Sequence, residues 1–296
     1  MDAVVITGPY KVEVRACPVP TMQAPTDAIV KIELCGLCGS DLHPFRGKEP
    51  VDPGTIMGHE FVGTVVETGS RWRLRHWCLF PEGVSDEAAM LAGDILSTGY
   101  FCARNARLQE LAPDSVVAVI GAGPVGLLAA VSAMDYPTVG RVLVLDRVAG
   151  RLEVAKSLGA VPIDISSSNA VETVRDLTGG QGAAAVLEVV GAGPALRLAY
   201  DILRPGGVIS SVGCHTDPEF PFAPSDLYNK NVTLVSGRCP ARSCMDDILP
   251  ALQQGGLQHC TKIITHKLPL KEAVEAYAAF ESQATGWVKV CFDPWA

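Results

Sequence analysis

Positive charge is scarce in this sequence: 24 lysines and arginines stand against 32 aspartates and glutamates, for a net charge of −8. No basic stripe runs along any segment, so the chain offers little to a phosphodiester backbone, and nucleic acid is not expected as a partner. The one basic concentration, from Arg71 to Trp77, is a short arginine–tryptophan cluster that reads either as a nucleic-acid or membrane patch or, more commonly for arginines on a strand end, as a solvated or misplaced segment. No signal peptide is expected either, since Met1-Asp2-Ala3 carries no basic start and Gly8-Pro9-Tyr10-Lys11 interrupts any apolar core. The apolar run 116–134 approaches bilayer length, yet Gly121, Gly123, Pro124 and Gly126 break it into a strand, a turn and a helix. No membrane segment is expected, and the cytosol is the expected compartment. Repeats and low-complexity tracts are absent as well.

What is present is ordinary for a soluble α/β chain: 296 residues, 48% hydrophobic and 19% charged, enough for two modest cores. The ten cysteines read as reduced thiols, with room for a metal site among them. The first 70 residues are strand-rich, with alternating or β-branched runs at 28–34 and 61–67. From Ser115 short apolar strands alternate with longer helical patterns: strands at 115–120, 141–145, 161–164, 183–189, 207–212 and 231–235, helices at 124–135, 149–158, 170–177 and 194–203. That rhythm implies parallel strand–helix–strand units in a doubly wound sheet. Helices at 246–254 and 271–282 and a strand at 287–292 follow.

Gly121-Ala122-Gly123-Pro124-Val125-Gly126 follows the first of these strands and opens a helix. Alone, such a string is as consistent with a glycine-rich turn; between a strand and a helix it is a dinucleotide fingerprint, and the sheet a Rossmann sheet. Gly121 permits the tight turn, Gly123 lets the backbone approach a pyrophosphate, and Gly126 allows close helix–strand packing. Pro124 and Val125 begin the helix whose N-terminus faces the phosphates. Asp146 ends the next strand and would accept hydrogen bonds from the adenosine ribose and repel a 2′-phosphate, which favours NAD, unless it merely caps a helix. Arg147 beside it leaves NADP open. Arg151 either hydrogen-bonds the ribose or lies on a solvated helix face. Val190-Gly191 and Val212-Gly213 follow later strands at the edge where a nicotinamide would lie, although tight turns explain them equally well.

Cys35-Gly-Leu-Cys38-Gly-Ser40-Asp41-Leu-His43 follows a strand, and Gly58-His59-Glu60 comes further on. A bare Cys-x-x-Cys admits a redox pair or a zinc knuckle, but a knuckle needs a second Cys or His pair, and none stands at usable spacing. Taken together with the glycine fingerprint, these strings resemble the zinc-containing medium-chain alcohol dehydrogenases over residues 1–70 and 81–296. The resemblance implies a GroES-like β-barrel catalytic domain over 1–95, a Rossmann domain over 96–236, and a C-terminal segment, 237–296, returning to the catalytic domain. It implies Cys38 and His59 as zinc ligands, Glu60 beside the metal, Asp41 as the acceptor that orients His59, and Cys35 as a small core residue. The third ligand of that family precedes a Thr-Gly pair by four residues. Here Asp94 stands in that place before Thr98-Gly99, as in the formaldehyde-dehydrogenase-like branch, unless it only caps the helix that follows.

By the same resemblance the zinc acts as a Lewis acid on a small alcohol or aldehyde, and hydride passes to or from the nicotinamide. Ser40 would pass the hydroxyl proton through the cofactor ribose towards His43, although each taken alone is a turn hydroxyl or a surface imidazole, and Thr98 would pack against the nicotinamide. The pattern breaks after Ser70: the chain rejoins it at Pro81, several dozen residues appear to be missing, and Cys78 stands without companions. One catalytic zinc and no structural zinc are therefore expected, in an incomplete barrel with unpaired strand edges. A homo-oligomer, dimer or tetramer, is expected through the edge strand 231–235. Two other readings stay open: a nucleotide-binding chain without turnover, and a zinc-free reductase of the quinone or enoyl type.

Overall fold

The strand Ala28–Leu37 collects β-branched residues at Ile29, Val30 and Ile32 and becomes more buried towards its end. It pairs antiparallel with Glu60–Thr68, and the register sets Cys35 opposite Phe61 and Gly36 opposite Glu60. The Cys35–Cys38 string and Gly58-His59-Glu60 are thereby brought to one end of the same strand pair. This computed structural model describes residues 1–73, 78–257 and 259–296, so Leu74, Arg75, His76 and Trp77 of the basic cluster lie outside the described residues.

The chain divides into two units, Met1–Asp94 with Ile264–Ala296, and Ile95–Ile263. In the first, four strands lie in the order Ile264–Pro269, Lys289–Asp293, Ala28–Leu37, Glu60–Thr68, with a separate hairpin of Asp2–Gly8 and Lys11–Ala16. Val4, Ile6, Val12, Leu37, Phe45, Tyr277, Phe280 and Phe292 form its core, and the helix Ala273–Glu281 supplies the aromatic pair. Among the described residues Glu60–Thr68 is an open edge of that sheet, and Phe61 and Val66 on it are exposed.

The second unit is a six-stranded parallel sheet in the order Thr233–Ser236, Leu203–Ser211, Ala183–Glu188, Ser115–Ile120, Val139–Asp146, Val161–Asp164. Numbered along the chain, that is 6-5-4-1-2-3, the doubly wound Rossmann order. The strand expected at 207–212 begins instead at Leu203, because the ladder absorbs Arg204-Pro205-Gly206-Gly207 as a register shift between Ala183 and Ala185. The last strand starts at Thr233 because Asn231 adopts the left-handed conformation that ends the helix Pro224–Lys230. The return to the first unit comes at Ile264 rather than at 237. Helix Ala241–Gln253 packs on helix Ile95–Asn105 within the second unit and buries Cys244, Ile248 and Leu249. No helix among the described residues is long and apolar enough to cross a membrane.

Gly121, at φ +101°, makes the turn into the helix Pro124–Met134, and a Cβ placed on Gly126 would overlap the Gly121 carbonyl. Gly123 has an extended backbone and open space where its Cβ would be. Gly126→Ala is therefore expected to destabilise the protein by about 1–3 kcal/mol, the usual range for overpacking. Gly123→Ala should leave stability close to wild type, and paired urea-denaturation midpoints check both.

Candidate metal centre and nucleotide site

Four potential ligand atoms, from Cys38, His59, Glu60 and Asp94, lie within 4.8 Å of one another, all in the first unit. Cys38 Sγ is 3.6 Å from Asp94 Oδ2, and His59 Nε2 is 3.4 Å from the same oxygen. Tetrahedral zinc with bonds of about 2.0–2.3 Å sets its ligand atoms about 3.3–3.8 Å apart, so these two spacings fit that ion. The donors fit as well: one thiol, one imidazole and one carboxylate, with Glu60 Oε1 buried and without a hydrogen-bond partner among the described residues. Cys35 takes no part in this cluster, and its thiol instead reaches the Phe292 carbonyl at 3.8 Å.

Asp41 braces the cluster. Its Oδ2 accepts the Cys38 backbone N–H at 2.9 Å, and its Oδ1 faces His59 Nδ1 at 3.1 Å. Occupying Nδ1 with a carboxylate points Nε2 at Asp94 and Cys38. The cage favours positive charge: hydrogen bonding to Asp41, then to Asp94 and Cys38, pushes the His59 pKa up to about 12. Asp94 is held below the usual carboxylate range, chiefly by its hydrogen bond to His59. Burial raises the Cys38 thiol, and the hydrogen bond with His59 and the charge of Lys289 only partly offset it. Ser40 Oγ lies 3.2 Å from Cys38 Sγ and 3.1 Å from His59 Nε2. His43 sits in the short helix Leu42–Phe45 and makes no side-chain hydrogen bond among the described residues.

Sequence reasoning missed Lys289. It is fully buried, donates to the Leu37 carbonyl at 2.9 Å, and forms an ion pair with Glu60 Oε2. Burial alone would lower the ammonium pKa, and the Glu60 charge more than reverses it, so the shift is upward. The only signal was a lysine inside the apolar strand Lys289–Asp293, between Val288 and Val290.

In the second unit Asp146 is buried at the end of its strand. Its Oδ2 accepts the Ala122 N–H at 2.6 Å and its Oδ1 accepts those of Arg147 and Val148, at 2.7 and 2.9 Å. The side chain thus ties down the turn around Gly121, Gly123 and Gly126, and Val148, not Asp146, occupies the N-cap of the next helix. Arg151 Nε is buried without a partner among the described residues. Thr98 lies in the helix Ile95–Asn105. Val190 and Val212 follow the ends of adjacent strands, with Val190 exposed.

The second unit thus carries a parallel sheet of this order with a glycine turn, and the first carries a thiol–imidazole–carboxylate cage. The model of the zinc-binding dehydrogenase family matches residues 124–254, and that of the alcohol dehydrogenase GroES-like domain matches residues 24–136. Zinc-type alcohol dehydrogenase B of Aspergillus flavus is 38% identical over 342 aligned positions, covering 95% of this chain and 79% of the relative. Medium chain reductase/dehydrogenase ucsI of Acremonium sp. is 41% identical over 289 positions, covering 77% and 98%. Among solved structures, alcohol dehydrogenase TADH from Thermus sp. ATN1 superposes with a TM-score of 0.90 at 34% identity, covering 99% of both chains. The chain belongs to the zinc-containing medium-chain alcohol dehydrogenase family.

Lys289→Met is expected to cost about 3–5 kcal/mol, because it leaves the Glu60 carboxylate buried and uncompensated. Adding Glu60→Gln to that variant should recover a substantial part. A double-mutant cycle on denaturation midpoints measures both effects, and additive losses would show that the pair is not coupled.

Proposed function

We propose that this chain is an oxidoreductase that transfers hydride between NAD(H) and a small alcohol or aldehyde, with one zinc ion held by Cys38, His59 and Asp94 beside Glu60. The observation that carries this proposal is the spacing of the three donor atoms around Asp94 Oδ2, 3.6 Å to sulfur and 3.4 Å to nitrogen. When bound, zinc supplies a Lewis acid for the substrate oxygen. Ser40 Oγ, beside both Cys38 and His59, would take the alcohol proton as it releases its own to the cofactor ribose, which passes it towards His43. Asp41 keeps the His59 ring in one tautomer throughout. Thr98 packs against the nicotinamide. The ligand set weighs against the quinone or enoyl reductase alternative, which has no use for it.

NAD(H) is favoured over NADP(H) because Asp146 is buried and ionisable at the place where a 2′-phosphate would sit, and Arg151 Nε is an unused donor nearby in sequence. Pro124, Val125 and the open space at Gly123 form the approach for the pyrophosphate. Val190 and Val212 border the nicotinamide half. Thr233–Ser236, at the end of the six-stranded sheet, would pair with its own copy in a homodimer or tetramer. The compartment proposed is the cytosol, with neither nucleic acid nor membrane as a partner.

A second proposal has its own support. The alignment with the Aspergillus relative runs over 342 positions although this chain has 296 residues, so that relative carries residues with no counterpart here. Loss of barrel strands around residues 70–81, next to the open edge Glu60–Thr68, would leave a nucleotide-binding chain with impaired turnover.

Elemental analysis of freshly purified protein should give no more than one zinc per chain, and Cys38→Ala should abolish it. Two zinc ions per chain, or full occupancy surviving Cys38→Ala, would refute these ligands. Titrations should show tighter binding of NADH than of NADPH, with Asp146→Asn narrowing the gap. Asparagine is preferred to alanine for this test, since it retains an acceptor for the Ala122 N–H. Turnover of small alcohols by zinc-loaded protein separates the first proposal from the second.

A further inference from the structure

Glu188 ends the strand Ala183–Glu188 and is fully buried, and no lysine or arginine pairs with it among the described residues. Its hydrogen-bonding capacity is nevertheless filled. Oε1 accepts the backbone N–H groups of Val190 and Gly191, each at 2.8 Å. Oε2 accepts the Ser211 hydroxyl at 2.7 Å and lies 3.0 Å from His215 Nε2. Ser211 Oγ is itself 3.0 Å from the same ring nitrogen. A buried carboxylate accepts, so the proton of His215 is fixed on Nε2. Because serine and glutamate meet the same nitrogen, the three are not a nucleophile–base–carboxylate relay, which gives each partner its own ring nitrogen.

What the cluster joins is two turns. Gly191 has φ +76°, and a Cβ there would meet Cys214 N at 2.5 Å and its carbonyl carbon and oxygen at 2.7 Å. A Cβ on Gly213 would in turn strike the Gly191 backbone. The Val212 N–H reaches the Glu188 carbonyl at 3.0 Å. The turns after two adjacent strands are thus in direct backbone contact, with Glu188 bonded to one and, through Ser211 and His215, to the other.

Strand order says which part of a dinucleotide these turns would meet. The order reverses between Ser115–Ile120 and Ala183–Glu188, and each side of that point is one mononucleotide-binding half. Asp146 lies on the side of the adenosine. Glu188, Ser211 and His215 lie on the other.

We propose that Glu188, Ser211 and His215 form a positioning clamp that holds the turns at 190–191 and 212–214 in the arrangement the nicotinamide nucleoside half of the cofactor requires; this rests on the NAD(H) assignment made above. The clamp acts on one half of the dinucleotide only. Calorimetric titration of the full chain with NADH and with ADP-ribose, which lacks the nicotinamide, therefore tests it. His215→Ala should weaken NADH about tenfold, the worth of one charge-assisted hydrogen bond, and leave ADP-ribose within about twofold. His215→Gln, whose amide N–H can still reach Glu188, should restore most of the NADH affinity. Ser211→Ala, which removes a single hydroxyl, should give a smaller loss in the same direction and serves if His215→Ala does not fold. Equal weakening of both nucleotides, or of neither, overturns the clamp. A wild-type chain that binds neither nucleotide overturns the cofactor assignment, and the clamp with it.

Discussion

The Asp41 carboxylate, with only 4% of its surface exposed, accepts the Cys38 backbone N–H with one oxygen and faces His59 Nδ1 with the other. Cys38 lies just past the end of one strand and His59 just before the start of its partner, and the pairing of Gly36 with Glu60 brings those two ends together. Strand pairing alone would leave the ring free to rotate and the Cys38 loop free to move. The carboxylate removes both freedoms, because an imidazole bonded through Nδ1 can present only Nε2 to a metal. Everything else in the cage depends on that orientation: the approach of Asp94, the position of Ser40, and the upward shift of His59.

The same device recurs in the second unit with different partners. Asp146 and Glu188 each end a strand, are buried, and accept backbone N–H groups from the turn that follows or faces that strand end. A buried carboxylate satisfied by peptide N–H groups uses no lysine or arginine, and several short hydrogen bonds offset its desolvation cost. That economy suits a chain carrying an excess of acid over base. Glu60 is the exception, since its partner is a buried lysine and its other oxygen has no hydrogen-bond partner among the described residues. A carboxylate held by one oxygen and bare at the other is suited to stand beside a cation.

The side chains that meet in the candidate cage were legible in the sequence because three of them sit in short contiguous strings, where spacing and a preceding strand are visible. Asp94 depended on the Thr98-Gly99 pair downstream. The Rossmann order was legible from periodicity, and its errors lie where periodicity fails. Arg204-Pro205-Gly206-Gly207 looks like a turn but is carried as an irregularity inside a strand, and the helix expected at 246–254 begins earlier, at Ala241. Lys289, Glu188 and His215 were not legible. Each acquires its meaning from a partner on another strand or turn, and for Lys289 that partner is 229 residues away. A charged residue in an apolar run signals only that some compensation exists, not what supplies it.

That long separation also explains why the chain must return to its first unit. The cage is assembled within the first 94 residues, but its inner wall is completed by the strand Lys289–Asp293, inserted between Ala28–Leu37 and Ile264–Pro269. Lys289 bonds the Leu37 carbonyl just ahead of Cys38 and pairs with Glu60 just after His59, so it spans the same two chain segments as Asp41. Asp41 fixes the orientation of the ligands, while Lys289 offsets the charge that a second carboxylate brings to them. Without the final strand, Glu60 would face the cage with no counter-charge, and burying it there would cost more than the remaining hydrogen bonds return. The strand Lys289–Asp293 is therefore as much a part of the candidate cage as the cysteine motif near the start of the chain.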